Sequence, residues 1–186
     1  MKRTLLLVFA LNAVLLSYAQ DGLGLDNQLL LERHDLEWSA PTEPYRVIKN
    51  PSNSFQEYDF GLYLRKQKVE VRYLIVSAQT DSDRELIPHL RAGRMAMHIA
   101  GNEEDSYIAA HEMELEVVDT VYQADWGQTF FLPPKQIFSG AKNCQMLALY
   151  REGVALCFVF LLFEEAPASL PELAQLLRFK PRNLQN

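Results

Sequence analysis

The sequence predicts an α+β protein with a mainly antiparallel β-sheet of about seven strands and two helices packed on it. Residues 143–163 contain two apolar runs joined by a short polar break with a glycine, a pattern typical of a β-hairpin. The second run, residues 154–163, contains no polar residue, so it should lie at the centre of the sheet with both faces covered. Short turns between neighbouring strands favour antiparallel pairing, and a seven-stranded β-sandwich is the alternative architecture.

The first 19 residues have the pattern of a secretory signal peptide. A positive start, Lys2-Arg3, precedes an apolar run over residues 5–16, and small residues occupy the −3 and −1 positions of a cleavage site after Ala19. A membrane anchor is the competing interpretation, but the run is shorter than the ~20 residues of a membrane span. We therefore expect export to the periplasm or the cell exterior, with no transmembrane segment in the mature chain.

Without those residues the chain is short and acidic. The remaining 167 residues carry 16 basic and 24 acidic side chains, a net charge of −8. This length suits one globular domain, residues 45–186, preceded by an N-terminal arm over residues 20–44. So acidic a chain is a poor candidate for binding nucleic acid or an anionic membrane.

The arm has a weak helical pattern. Asp26 is placed to cap a short helix that reaches Arg33, and Pro44 ends the segment. Trp38 is the only large aromatic residue of the arm, and we expect it to anchor the arm across the domain.

Three strands are predicted between residues 45 and 78. Residues 45–49 form the first, and residues 58–64 and 69–78 pair as a hairpin around a polar turn. In the last strand, alternation gives way to a wholly apolar stretch, so this strand should run from the rim of the sheet into its centre.

Residues 80–100 change to a helical period. Ser82 and Glu85 have the spacing of a capping box. Pro88 lacks a backbone N–H, so we expect either a kink or a helix that begins at Pro88. The stripe that we expect to pack inward contains Leu86, Leu90, Gly93, Met97 and Ala100.

Residues 106–122 are predicted as a half-buried strand with an acidic outer face. In this segment Met113, Leu115 and Val117 alternate with Glu112, Glu114 and Glu116. A helix competes because leucine, methionine and glutamate are good helix formers, but strict alternation favours a strand.

The later segments complete the sheet and add the second helix. Residues 128–132 predict a strand that ends at Pro133. Ser169 and Glu172 form a second capping box that opens a short helix with inward-facing leucines. We expect both helices to cover one face of the sheet.

Two cysteines, Cys144 and Cys157, lie on the two strands of the central hairpin. With the turn centred on Glu152, their sulfurs are about three residues out of register, roughly 10 Å apart at ~3.3 Å per residue. Because a disulfide needs Cα atoms within about 7 Å, we predict two buried free thiols even in an oxidising compartment.

No metal or cofactor site is predicted. His111-Glu112 begins like the zinc-protease motif, but Leu115 stands where the second histidine is required. His111 should instead point into the core beside Met113. His98 lies half a turn out of phase with the other histidine of its helix, so these two cannot share a metal.

Asp125-Trp126 is the most suggestive pair for catalysis. A carboxylate beside an aromatic ring is common in sugar binding, and an apolar ring can raise a carboxylate pKa for acid catalysis. Glycoside hydrolysis needs a second carboxylate, for which Glu112 and Glu114 are weak candidates. The alternative is a turn aspartate beside a tryptophan that caps the core.

Arg84, Arg91, Arg94 and His98 cluster within about a quarter of the circumference of the first helix. In an acidic chain this positive stripe is a candidate contact for an acidic protein or an anionic surface component. The alternative is the solvated outer face of a helix that packs through Leu90 and Met97.

We therefore expect an exported binding or structural protein without catalytic activity. One alternative is a hydrolase acting on carbohydrate through Asp125 and a nearby glutamate. Another is a carrier of an apolar ligand held between the sheet and the helices, which requires an internal cavity of roughly 300 Å³ or more.

Overall fold

The computed structural model describes residues 22–48, 55–79, 87–103 and 106–182. The predicted signal peptide, the capping box of Ser82 and Glu85, and Arg84 lie outside the described residues. The described chain contains a seven-stranded antiparallel sheet, a two-stranded sheet and four helices, which confirms the mainly antiparallel α+β class.

The strands are β1 (Leu36–Trp38), β2 (Tyr45–Ile48), β3 (Phe60–Leu64), β4 (Val69–Ser77), β5 (Ala109–Glu112), β6 (Trp126–Leu132), β7 (Asn143–Arg151), β8 (Ala155–Phe163) and β9 (Leu177–Phe179). The helices are α1 (Leu25–Arg33), α2 (Pro88–Ile99), α3 (Leu115–Thr120) and α4 (Leu170–Ala174). The large sheet has the strand order β2-β3-β4-β8-β7-β6-β5, and β1 pairs with β9 in the small one.

Strand β8 is the middle strand of the seven, as its apolar sequence predicts. All nine of its residues are buried, and it pairs with β4 on one side and β7 on the other. On one face Phe158 and Phe160 stack with ring centroids 6.2 Å apart. On the other face Val159 and Leu161 belong to a second core.

The helices lie on both faces of the sheet, so the prediction that they share one face is wrong. Helix α2 covers the face that contains Phe158, whereas α4, β9 and the N-terminal arm cover the opposite face. The physical reason is the composition of β8 itself, because a strand that is apolar on both faces needs a covering layer on each.

The N-terminal arm crosses the domain and is fixed at Trp38. The indole Nε1 of Trp38 donates a hydrogen bond to the hydroxyl of Tyr73, at 3.3 Å. Tyr73 is fully buried, and burial raises the pKa of its hydroxyl. The pairing of β1 with β9 joins the arm to the C-terminal segment, so both ends of the described domain close over the same face.

Helix α2 begins at Pro88, which is one of the two predicted outcomes. Its buried residues are Ala92, Ala96 and Ile99. Leu90 and Met97, expected to pack inward, are 49% and 63% exposed, so that part of the prediction is wrong. The sheet supplies bulky phenylalanines beneath the helix, and the short alanine side chains let the helix lie close to them.

The predicted strand over residues 106–122 is only partly correct. Strand β5 ends at Glu112, and α3 follows, with Val118 and Tyr122 buried at helical spacing. Gly127 on β6 permits the close approach of this segment, because a Cβ there would lie 2.7 Å from the sulfur of Met113. The conformation of this segment follows the helical spacing of the buried residues 118 and 122 and not the two-residue alternation of the glutamates.

Helix α4 starts after Ser169, but the predicted capping box does not form. The hydroxyl of Ser169 donates to the side-chain Oε1 of Gln67, at 2.7 Å, and makes no capping bond to α4. The serine therefore ties α4 to the turn between β3 and β4.

The central hairpin turns one residue later than expected. Gly153 takes a positive φ of 68°, Cys157 lies opposite Leu149, and Cys144 lies opposite Leu162. Both cysteines are free and buried, which confirms the prediction, and burial raises the pKa of each thiol. The two thiols belong to cores on opposite faces of the sheet.

His34 is a buried polar residue at the end of α1. It is 5% exposed, bonds to the backbone of Val154, and its Nδ1 has no partner among the described residues. Burial is the main cause of its lowered pKa. The domain therefore folds around a neutral imidazole.

Replacing Trp38 by Phe is expected to destabilise the domain by about 1–3 kcal/mol, because the buried hydroxyl of Tyr73 loses its donor. The same change in a Tyr73→Phe background should cost less, since no hydroxyl is left unpaired. Urea unfolding of the four variants measures the coupling. Equal costs in both backgrounds would show that the hydrogen bond contributes nothing.

Stability is expected to fall with pH below about 6.5, the ordinary histidine pKa, because the unfolded chain then binds a proton that folded His34 resists. The contribution is complete above that pH and is lost as the pH drops further. Urea midpoints between pH 7.5 and 5 measure it. The His34→Gln variant should show a flatter pH dependence, and an unchanged slope would exclude His34 as the cause.

Both cysteines are expected to resist Ellman's reagent in the folded chain and to react after unfolding in urea, because a buried thiol with a raised pKa supplies little thiolate. Mass spectrometry of the untreated protein should show two reduced thiols. A disulfide, or rapid reaction in the folded state, would contradict the placement of Cys144 and Cys157 in separate cores.

Candidate functional site

The surface of α2 that faces solvent combines apolar and cationic side chains. We call it the α2 outer face and define it as Leu90, Arg91, Arg94, Met97 and His98, all of them exposed. The alanines on the buried side fix this orientation, because they place the larger side chains outward. The sequence prediction placed the arginines correctly but assigned the leucine and methionine to the core.

The apolar part of this surface continues onto the segment that leads into β5. A hollow of about 340 Å³ is lined by Met97, Ala100, Gly101, Ser106, Tyr107 and Ile108. Tyr107 and Ile108 are themselves exposed. The hollow therefore connects the end of α2 to the start of the edge strand.

The C-terminal end of α2 carries an additional cation that sequence periodicity did not indicate. Nζ of Lys135 donates to the carbonyl of His98, at 2.7 Å, and lies 5.4 Å from the ring centroid of Phe55. The Phe55 ring stacks on His98, with centroids 4.3 Å apart. A cation at this end of a helix is favoured by the helix dipole, so Lys135 both caps α2 and enlarges its positive surface.

Arg91 and Arg94 form no ion pair with any other described residue. Both side chains are exposed. Arg84, the fourth member of the predicted stripe, lies outside the described residues.

Comparison with known proteins gives no match: no family model, no curated protein and no solved structure is similar to this chain.

Asp125 is bound to neighbouring parts of the chain. One carboxylate oxygen accepts a hydrogen bond from the backbone N–H of Glu152, at 2.9 Å, and the other binds Arg182. The contacts of Asp125 lie at the β7–β8 turn and the C-terminal segment, whereas Trp126 packs with the core beneath α2. The carboxylate of Asp125 and the indole ring of Trp126 therefore contact different parts of the protein.

Glu112 and Glu114 are the two other carboxylates of the hydrolase alternative. Glu112 is exposed on β5 opposite Gln128, and Glu114 is exposed directly before α3. Glycoside hydrolysis uses two carboxylates that stand several ångströms apart without touching, so the bonds of Asp125 neither assemble nor exclude such a pair.

The cleft next to Arg182 has a volume of about 490 Å³ and contains both signs of charge. Its lining residues are Asp35, Glu37, Arg151, Lys180, Pro181 and Arg182. Arg151 donates to the carbonyl of Lys180, at 2.7 Å, and Glu37 pairs with Arg178. The first bond ties the end of β7 to the segment after β9, and the second ties β1 to β9.

His111 is exposed, which corrects the expectation that it points into the core. It lies on the outermost strand, where its ring contacts Phe131 edge-on at a centroid distance of 6.1 Å. An edge strand has no neighbouring strand on its outer side. A side chain on its core face, such as that of His111, can therefore still contact solvent.

Groups of three or more histidine, cysteine, aspartate or glutamate residues that could hold a metal ion are absent from the described part of the chain. Within the same residues, no helix has the length and apolar composition that a membrane span requires.

Proposed function

We propose that this protein is exported to the periplasm or the cell exterior and acts there as a non-catalytic binding protein. The positive start, apolar run and small-residue cleavage pattern of residues 1–19 support export. The α2 outer face is the proposed contact, and an acidic protein is the proposed partner. The observation that carries the proposal is the exposure of Leu90 and Met97 beside Arg91 and Arg94, which are also exposed.

The apolar part of the α2 outer face would supply most of the binding energy. Large apolar side chains that are grouped on a surface mark interaction sites, whereas single ones are ordinary. Met97 extends this surface through the hollow to Tyr107 and Ile108, so the exposed groups form one continuous area. Methionine adapts its flexible side chain to a partner's shape, which suits such a contact.

The arginines would supply orientation and choice of partner. Arginine binds carboxylates with two parallel hydrogen bonds, so it recognises acidic side chains more specifically than lysine does. The mature chain carries a net charge of −8, so most of its surface repels an acidic partner. Arg91, Arg94 and Lys135 provide the local positive field that directs such a partner to α2.

The double variant Arg91→Glu/Arg94→Glu is expected to weaken binding of a glutamate–tyrosine copolymer by about tenfold or more, equivalent to ~1.4 kcal/mol. The copolymer offers carboxylates together with aromatic rings, which match the two components of the surface. Binding is measured by surface plasmon resonance, with circular dichroism to verify folding. Higher salt should weaken the wild-type interaction, because the arginines act through charge.

The matched control is Arg65→Glu/Lys66→Glu, which makes the same charge change at the exposed turn between β3 and β4. Equal loss of binding in the control would reduce the effect to net charge and contradict a site on α2. Replacing Leu90 and Met97 by serine should also weaken the wild-type interaction, and full retention would remove the apolar part of the proposal.

A further inference from the structure

Strand β5 presents an unpaired backbone edge. Among the described residues it is the last strand in the sheet order and pairs only with β6. The N–H of Met113 donates to the carbonyl of Gly127, at 3.1 Å, which fixes the phase of the antiparallel ladder. Because inward and outward groups alternate along such a ladder, the backbone groups of Ala110 and Glu112 point away from the sheet.

This edge lacks three of the common protections against strand addition, which are proline, lysine and a β-bulge. It is short, at four residues, and its one charged side chain is Glu112. Strand β5 contains two alanines, and its register with β6 runs without a bulge. The opposite edge, β2, carries the exposed cation Arg46. Of the two edge strands, β5 is the one without lysine or arginine.

Exposed apolar side chains are concentrated around this edge. Those next to it are Met97, Tyr107, Ile108, Leu115 and Phe131. The most exposed is Leu115, at 78%, and Tyr107 and Ile108 line the hollow of about 340 Å³ together with Met97. An extended segment lying along β5 would have an apolar recess beside its end, where one of its side chains could be buried.

The charges at the ends of β5 determine the chemistry of the occupant. Residues 103–116 contain no lysine or arginine, and the exposed acids Glu103, Glu112 and Glu114 flank the strand. A second copy of this chain would place acidic ends against acidic ends in an antiparallel pair, and Glu112 beside Glu112 in a parallel one. Like charges in these positions destabilise a strand pair, so the edge favours a basic segment.

We propose that β5 accepts an extended, lysine- or arginine-bearing segment of a partner protein as an additional strand, with one apolar side chain of that segment in the hollow beside Met97. The main chain of Ala110 and Glu112 supplies the hydrogen bonds, and the flanking glutamates bind the cations of the segment. This site is separate from the arginines of α2, which contact a partner of opposite charge.

The test uses the chain without residues 1–19 and a fluorescein-labelled peptide with a Val-Thr-Val-Thr-Val core and lysines at both ends. Fluorescence anisotropy should detect binding, and the same core flanked by glutamates should bind at least tenfold more weakly. Amide hydrogen exchange followed by NMR should slow at Ala110 and Glu112 and stay constant at His111, whose amide already faces β6. Unchanged exchange at both outward amides would overturn strand addition.

Two variants test the backbone and the charge separately. Ala110→Pro removes an outward N–H without breaking the ladder to β6 and should abolish binding, whereas Ala110→Ser keeps the N–H and should bind like wild type. Glu112→Lys/Glu114→Lys keeps the backbone and should weaken binding by about tenfold. If the Glu112→Lys/Glu114→Lys variant, or a correctly folded Ala110→Pro variant, bound the peptide as tightly as the wild-type protein does, the proposal would be contradicted.

Two further measurements distinguish strand addition at β5 from binding at α2 and from self-association. Arg91→Glu/Arg94→Glu should leave binding of the lysine peptide intact, so failure of the α2 proposal and failure of this one are distinguishable. Sedimentation should show a monomer. A dimer that Ala110→Pro dissociates would identify a second copy as the occupant and overturn the choice of a basic partner.

Discussion

The burial of both faces of β8 is the constraint on which the rest of the structure depends. Nine consecutive buried residues cannot be covered by one layer, so the chain must provide a layer for each face. The middle of the chain supplies α2 for one face, and the two ends supply the arm and the C-terminal segment for the other. The β1–β9 pair joins the two terminal segments that cover this second face.

The elements that could be predicted are those whose sequence pattern has one physical solution. A wholly apolar strand such as β8 is stable only where both of its faces are covered. Pro88 fits the first position of a helix, because the backbone N–H that proline lacks would have no partner within the helix there. The strand prediction for residues 113–122 was wrong because it followed the alternating glutamates. The residues that are buried are Val118 and Tyr122, which have helical spacing. That choice depends on Gly127, which leaves space on β6 for Met113 and lies outside the segment itself.

The sequence pattern indicated the charged residues of the candidate site but did not indicate its exposed apolar residues. Arg91 and Arg94 are exposed, as a charged stripe predicts, because ionised side chains do not enter an apolar core. Leu90 and Met97 were assigned inward by their helical spacing, yet the side of α2 that packs on the phenylalanine-rich sheet presents Ala92, Ala96 and Ile99. Lys135 joins the surface through Phe55 and His98, a contact between three separate segments that periodicity cannot reveal.

Met97 connects the two proposed contacts, since it belongs to the α2 outer face and also lines the hollow beside β5. A partner bound to the α2 outer face would bury the Met97 side chain, and so would a segment bound along β5. Each therefore covers apolar surface that the other would use. Two partners that both need Met97 would therefore compete, although one is acidic and the other basic. Partners that bind only through Arg91 and Arg94, or only through the edge of β5, would instead bind together, because their charges attract each other across the surface. The position of this one methionine thus decides whether the two contacts exclude or support each other.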